Sequence, residues 1–299
     1  MPQTVPKDEI IYLPEHWKLI SQKHHHRINR LLGDYLDKRE HQFNNPVLDF
    51  LFEYYSFRPS LLKRWSPGID AVLTGRDARK YLKYEEYEEN DRGITLDPSK
   101  FPRHRIDSIL WILELLKKTQ QHSPSLGCFG MHEWAMVYRT NNIRHNYLPL
   151  RLPPEEIAQI VESRSIICSH YDAFRFFSPK ARPLNKLQPS RKNLKKLEQP
   201  GCIHANMDLY KWAYKMYPWI SSDLIADAFE LALDARVIDM KASPYDLKTF
   251  GYGPIRIETE EGRLEYKNEQ RRIYKRSQPI RKKLIEYYER LLARLSIND

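Results

Sequence analysis

Apolar residues recur along much of this chain at intervals of three and four. Leu224, Ala228, Leu231, Ala235 and Ile238 step by four, three, four and three, which lays a single seam along a helix. Ile106, Ile109, Leu110, Leu113 and Leu116 repeat in the same way, with Lys117 and Lys118 at the C-terminal end, where the helix dipole favours cations. Pro153 and Pro154 open another helix, with Glu155 and Glu156 in its first turn. Ile280, Leu284, Tyr287, Leu291 and Leu295 predict a last helix that begins at Pro279. The polar stretch Glu15 to Gln42 also reads as helical, and Val47, Leu48, Leu51 and Tyr55 give helical spacing to an aromatic-rich segment that ends in the turn Ser66-Pro67-Gly68. A period of two appears at Ile255 and Ile257, then at Leu264 and Tyr266, around Glu261-Gly262; it predicts a small β-hairpin near residues 254–268. The acidic stretch 85–99 reads as ending in a turn. The expectation is a mainly α protein: a single helical domain over residues 1–299, with a polar N-terminal segment 1–44 and a core over 45–299.

Composition narrows the class. With 41% hydrophobic and 29% charged residues the chain has the make-up of a folded protein. No run approaches the roughly 18 apolar residues that span a bilayer. Met1 to Ile20 has no apolar h-region, so the expected location is cytoplasmic, away from membranes. The three cysteines match no CxxC zinc pattern and are expected to be free thiols. The net charge of +10 favours an anionic partner. The proline-punctuated loop 178–200 concentrates that charge, and Arg182, Arg191, Lys192, Lys195 and Lys196 are its candidate phosphate contacts. An ordinary solvated surface loop has the same composition.

The chemistry concentrates in three segments, each with a cysteine, then a histidine, then a carboxylate. They are Cys128 with His132 and Glu133, Cys168 with His170 and Asp172, and Cys202 with His204 and Asp208. Imidazole beside carboxylate suits proton transfer, because the acid fixes the tautomer and raises the basicity of the ring. The same pair suits a divalent metal. A plain structural role, bracing helices by buried hydrogen bonds, needs no more than this either. Asp223, Asp227, Glu230 and Asp234 share one helix face, and Arg271, Arg272, Lys275 and Arg276 are the expected counter-charges. Aromatic residues crowd the same region. Trp134, Tyr138, Tyr210, Trp212 and Tyr245 are candidates to stack a flat heterocycle, and Trp212 lies four residues from Asp208 on one helix.

The phosphate-binding, dinucleotide, serine-hydrolase and zincin signatures are absent; His132-Glu133 is followed by no second histidine at the zincin spacing. The longer strings do carry a likeness. They are Asp49-Phe50-Leu51-Phe52 with Tyr54-Tyr55-Ser56 and Arg58-Pro59, Gly127 to Arg139, Ser169 to Phe177, Gln199 to Trp212, and Asp239 to Leu247. In these strings the chain resembles a bacterial family named for 3-methyladenine DNA glycosylase, over roughly residues 45 to 290. It has no Leu-Pro-Gly-x-Gly turn of the helix-hairpin-helix kind, so no residue carries over from the helical alkylpurine glycosylases.

The resemblance implies hydrolysis of the N-glycosidic bond of an alkylated purine in DNA, without a metal cofactor. The base would be flipped out and stacked on aromatic rings, with Asp172 or Asp208 set against the oxocarbenium-like sugar. His170, His204 and Glu133 complete the candidate catalytic set. The rival expectation is an iron- or zinc-dependent enzyme acting on a small molecule, with His132, His170, Asp172 and His204 as ligands. A third is a nucleic-acid-binding protein without catalysis.

Overall fold

The computed structural model describes residues 9–40 and 44–297. Residues 1–8 and 41–43 of the expected polar segment lie outside that range. Of the described residues 59% are helical and 6% lie in strands, so the protein is mainly α.

The helices are α1 Pro14–Leu32, α2 Tyr35–Glu40, α3 Pro59–Lys63, α4 Ile106–Gln121, α5 Met131–Val137, α6 Pro154–Glu162, α7 Tyr171–Phe174, α8 Leu194–Leu197, α9 Ile203–Lys215, α10 Ser222–Ala242 and α11 Glu260–Ile297. α10 is central. Ser221 caps it by accepting from the Leu224 backbone N–H. Every member of the Leu224-to-Ile238 seam is buried, and Ala226, Ala228, Ala232 and Ala235 give α10 a surface of small side chains. α9 and α11 pack closely along it, and α4 closes the far side of α11. One continuous cluster of buried apolar side chains runs from Trp17 to Leu295. Among the described residues, no helix is long and apolar enough to cross a membrane.

The sheet has four short strands: β1 Ile10–Tyr12, β2 Ala71–Leu73, β3 Tyr87–Asn90 and β4 Gly93–Leu96, in the order β1-β2-β4-β3. β1 and β2 are parallel and the other pairs antiparallel. The hairpin therefore lies at residues 87–96, within the acidic stretch, and not near 254–268. Its turn is held by Asn90 Oδ1, which accepts from the backbone N–H groups of Arg92 and Gly93.

At 254–268 the alternation has another cause. Ile255 and Ile257 are both buried anchors, and α11 starts at Glu260. Gly262 is not a turn residue: a Cβ there would lie 1.9 Å from the Arg256 carbonyl oxygen, so only glycine allows the first turn of α11 to fold back on that segment. Nor does the last helix begin at Pro279, which lies inside α11.

The acidic stripe on α10 is neutralised from two sides. Arg27 on α1 bridges Asp227 and Glu230, at 2.8 and 2.5 Å. From α11, Arg276 and Arg272 reach Asp234.

Phe229, fully buried on α10, packs against Phe52 at 5.6 Å and Tyr210 at 5.0 Å between ring centroids. Phe229→Ala should cost about 3–5 kcal/mol of stability, the usual range for an aromatic cavity. Urea denaturation measures this directly, and a loss below about 1 kcal/mol would contradict the packing described.

Candidate functional site

Four elements converge on a buried polar centre. Gly130, with φ +71°, starts α5 against α10 and α11. A Cβ there would meet the Cβ of Ala242 at 3.2 Å and the Tyr266 ring at 3.4 Å. That close approach turns every side chain of α5 inward, His132 and Glu133 included. His132 Nε2 lies 2.7 Å from Asp239 Oδ1 on α10. The other oxygen of Asp239 lies 3.8 Å from His204 Nε2 on α9. The two imidazole rings stand 4.4 Å apart, nearly perpendicular. Arg236, one turn before Asp239, donates from Nη1 to Asp239 Oδ2 at 2.7 Å and to Glu133 Oε1 at 3.0 Å. Its Nη2 points at His145 Nε2, 3.4 Å away.

Burial opposes charge at each of these groups, and the neighbours decide the outcome. Asp239 stays well below the usual carboxylate range despite burial, because His132, His204 and Arg236 surround it. Burial alone would lower His132, but Asp239 outweighs it and raises the ring well above its ordinary value. His204 is driven the other way, by burial and then by His132, and is neutral. Burial and the Arg236 charge lower His145 to about 4.

His132 Nε2 and Asp239 Oδ1 meet as a buried ion pair at 2.7 Å without the alignment of a hydrogen bond, and Glu133 Oε2 is buried without a partner. Buried polar groups are normally fully hydrogen-bonded, so this geometry calls for an explanation. Spacing supplies one: ligand atoms about 2.1 Å from a shared cation sit about 3.0 Å apart at a right angle and about 3.4 Å apart in a tetrahedron. The separations of 2.7 and 3.8 Å bracket those values. One ligand atom from each of His132, His204 and Asp239 lies within 4.8 Å of the other two.

A second triad, His170, Glu198 and Asp208, meets the same distance criterion but has a different character. His170 caps α7, its Nδ1 accepting from the Ala173 backbone N–H at 3.3 Å. The neutral ring must then carry its proton on Nε2, which faces Asp208 at 3.4 Å and Glu198 at 3.8 Å. The carboxylates are already satisfied. Asp208 accepts from Tyr55 Oη at 2.8 Å and from Lys211 Nζ, and Glu198 accepts from Thr119 Oγ1 at 3.0 Å. Burial works against the Asp208 charge, but Lys211 and His170 outweigh it and hold the carboxyl far below its ordinary range. Burial, with Asp208 next, raises Tyr55 well above its usual value, so it remains a donor. This triad is a closed hydrogen-bond network, joined to the first by the stacking of His170 on His204 at 5.3 Å.

His204, Glu133 and Arg236 of the first group and His170 and Asp208 of the second line a narrow cleft, with a cavity volume of about 20 Å³. A π-helical turn, Phe50–Tyr54, builds one wall and stacks Phe50 on Tyr54 at 4.8 Å. Such turns recur at functional sites because they redirect side chains without ending the helix. Phe176 and Tyr55 complete the aromatic lining. His132 and His204 also line a second, smaller cavity, of about 10 Å³, where all three cysteines converge as free thiols.

Of the residues singled out from the sequence, His132, His204 and Glu133 enter the first group and His170 and Asp208 the second. Asp172 lines the cleft but belongs to neither triad: its carboxylate pairs with Arg175 at 3.2 Å and Lys211 at 3.7 Å. The aromatic residues expected to stack a ligand lie outside the cleft lining. Trp134 is in the core, donating to the Ala242 carbonyl. Tyr138 bonds Glu162, Tyr210 packs on Phe57 and Phe229, Trp212 lies under Lys211, and Tyr245 stands behind His145. In the basic loop Arg191, Lys192 and Lys196 are exposed, Arg182 donates to the Arg175 carbonyl, and Lys195 pairs with Glu114 on α4. Sequence reasoning missed Asp239, Arg236, Glu198, Lys211 and Tyr55. Asp239 did leave a signal: it follows the seam residue Ile238 directly, where the helix is buried on most sides.

Arg236 is 1% exposed and pairs with both Glu133 and Asp239. Arg236→Met should cost about 3–5 kcal/mol, because it strips buried Glu133 of its ion-pair partner and Asp239 of one of its own. Adding Glu133→Gln should restore part of that loss in thermal denaturation; a double variant no more stable than the single one would contradict the pairing. Compared with known proteins, the chain matches no family model, no curated protein and no solved structure.

Proposed function

We propose that this protein is an enzyme that holds a divalent transition metal at His132, His204 and Asp239 and acts on a small molecule in the adjoining cleft. The observation that carries this reading is the buried pair His132 Nε2 and Asp239 Oδ1, which meet at 2.7 Å outside hydrogen-bond alignment and within ligand spacing of His204. Two imidazoles and one carboxylate with open positions form the donor set typical of non-haem iron(II), and zinc accepts the same atoms. A metal there would act as a Lewis acid on a bound oxygen.

The chain's own groups have definable parts. Arg236 holds one oxygen of Asp239 and leaves the other facing His132 Nε2. Neutral His204 is ready to ligate without losing a proton. His132 must release one, so metal affinity should rise with pH. Glu133, fixed through one oxygen by Arg236, keeps the other available as a proton acceptor at the cleft. The network of His170, Asp208, Lys211 and Tyr55 fixes the ring that stacks on His204.

A second reading, a DNA glycosylase for alkylated purines, is favoured by the ionised Asp208 beside aromatic walls. Lys211, bonded to that carboxylate, and Arg144 and Arg236, which line the same cleft, oppose a cationic base.

Titration of the purified, metal-free protein with zinc, and with iron(II) under anaerobic conditions, should give one tight site per chain. His204→Ala and Asp239→Asn should each weaken it by at least about 100-fold, beyond the 10–100-fold typical of outer-shell partners. His170→Gln should stay within about tenfold of the parent. Equal affinity in all variants would remove the metal reading, and release of 3-methyladenine from alkylated DNA in the presence of chelator would select the glycosylase.

A further inference from the structure

We propose that the cleft recognises a small oxyanion, a carboxylate or phosphate carried on a flat apolar group, through Arg144 in its lining and Arg175, which approaches the same Phe176 ring. The proposal rests on the reading of this cleft as a substrate site. It concerns which molecule enters, and the argument begins with charge.

The carboxylates that line the cleft are already paired. Glu133 is bonded to Arg236, Asp208 to Lys211, and Asp172 to Arg175. Arg144 also lines the cleft, and among the described residues no carboxylate is paired with it. Its guanidinium lies 3.8 Å from the Phe176 ring centroid and 5.6 Å from that of Tyr54. Arg175 approaches the same Phe176 ring, at 4.5 Å, and donates to Tyr54 Oη at 3.0 Å. Two guanidinium groups thus converge on one aromatic ring, and among the described residues Asp172 is the one acid paired with either. A third, Arg182, is tied to the Arg175 carbonyl.

Like charges brought this close repel unless an anion lies near them. The planar fork of arginine suits carboxylate and phosphate oxygens, and stacking on Phe176 restrains it before a ligand arrives. The cleft walls include Phe50, Tyr54 and Phe176, which suit a flat apolar body. An oxyanion held by Arg144 would point the rest of such a molecule toward His204 and Glu133, both of which line the same cleft. A small ligand fits this better than a nucleic-acid strand, because the cationic groups meet at one ring and do not trace a track along the surface.

The test uses the full chain, with zinc and after chelation, and a series of near-isosteric probes in calorimetry: benzoate, phenyl phosphate, neutral benzamide and cationic benzamidine. Benzoate or phenyl phosphate should bind, and the stronger of the two identifies the oxyanion. Benzamide should bind at least tenfold more weakly. Arg144→Met should weaken the anion at least tenfold, and Arg144→Lys should recover part of that loss. The Arg144 guanidinium lies over the Phe176 and Tyr54 rings, and circular dichroism of each variant verifies the fold. The proposal is overturned if benzamidine binds more tightly than benzoate, if Arg144→Met leaves anion affinity unchanged, or if duplex DNA binds the cleft and neither anion does. Zinc content measured on the same samples reports separately on the metal reading, so the failure of one is not mistaken for the failure of the other.

Discussion

The structure around the site depends on one buried carboxylate. Asp239 has no exposure to solvent, yet it stays ionised because Arg236 bonds one of its oxygens and two histidines face it from other helices. A lone carboxylate in such a place would neutralise itself or destabilise the fold. Its partners come from α5, α9 and α10, so the same charge that defines the site also fixes how these helices sit together. The Oδ1 atom and the facing His132 nitrogen meet at 2.7 Å as an ion pair that lacks hydrogen-bond alignment. Two imidazoles and a carboxylate so placed are a donor set that a metal ion could share.

The neighbouring triad shows the contrast within one molecule. His170, Glu198 and Asp208 are equally close, but Tyr55, Lys211 and Thr119 saturate the carboxylates, and a backbone N–H fixes the tautomer of the ring. Distance alone does not separate the two groups; hydrogen-bond accounting does. The second network serves as a rigid support whose histidine stacks against the proposed ligand His204. Its other edge forms the cleft floor, which ties the proposed metal chemistry to the space where a substrate would lie.

Much of the helical framework was legible in the sequence, because burial on one face imposes a period that survives in a single chain. The α10 seam is the clearest case, and the helix opened by Pro153 and Pro154 another. The hairpin was misplaced for a physical reason. Ile255 and Ile257 alternate because both anchor a segment beneath α11, and Gly262 is required by a close backbone approach that mimics a turn signal. The true hairpin hides in an acidic stretch where only Tyr87, Ile94 and Leu96 face the core. Within the site, the three cysteine–histidine–carboxylate segments did mark the right regions, since each brings a histidine to the centre. Their own carboxylates pair differently from the way proximity along the chain suggests. Asp172 turns to Arg175 and Lys211, while Asp239 and Glu198 arrive from positions that no local spacing connects to those histidines. Likewise, the aromatic residues nearest to them in sequence fill the core, and the cleft is walled by rings from Phe50 to Tyr55 and by Phe176.

The most direct measurement is an anomalous-difference map from crystals of the protein soaked with zinc or iron(II), recorded at the absorption edge of the metal. The account predicts one dominant peak, about 2.0–2.2 Å from His132 Nε2, His204 Nε2 and an oxygen of Asp239. A peak between His170, Glu198 and Asp208, a peak among the three cysteines, or none at all would contradict it.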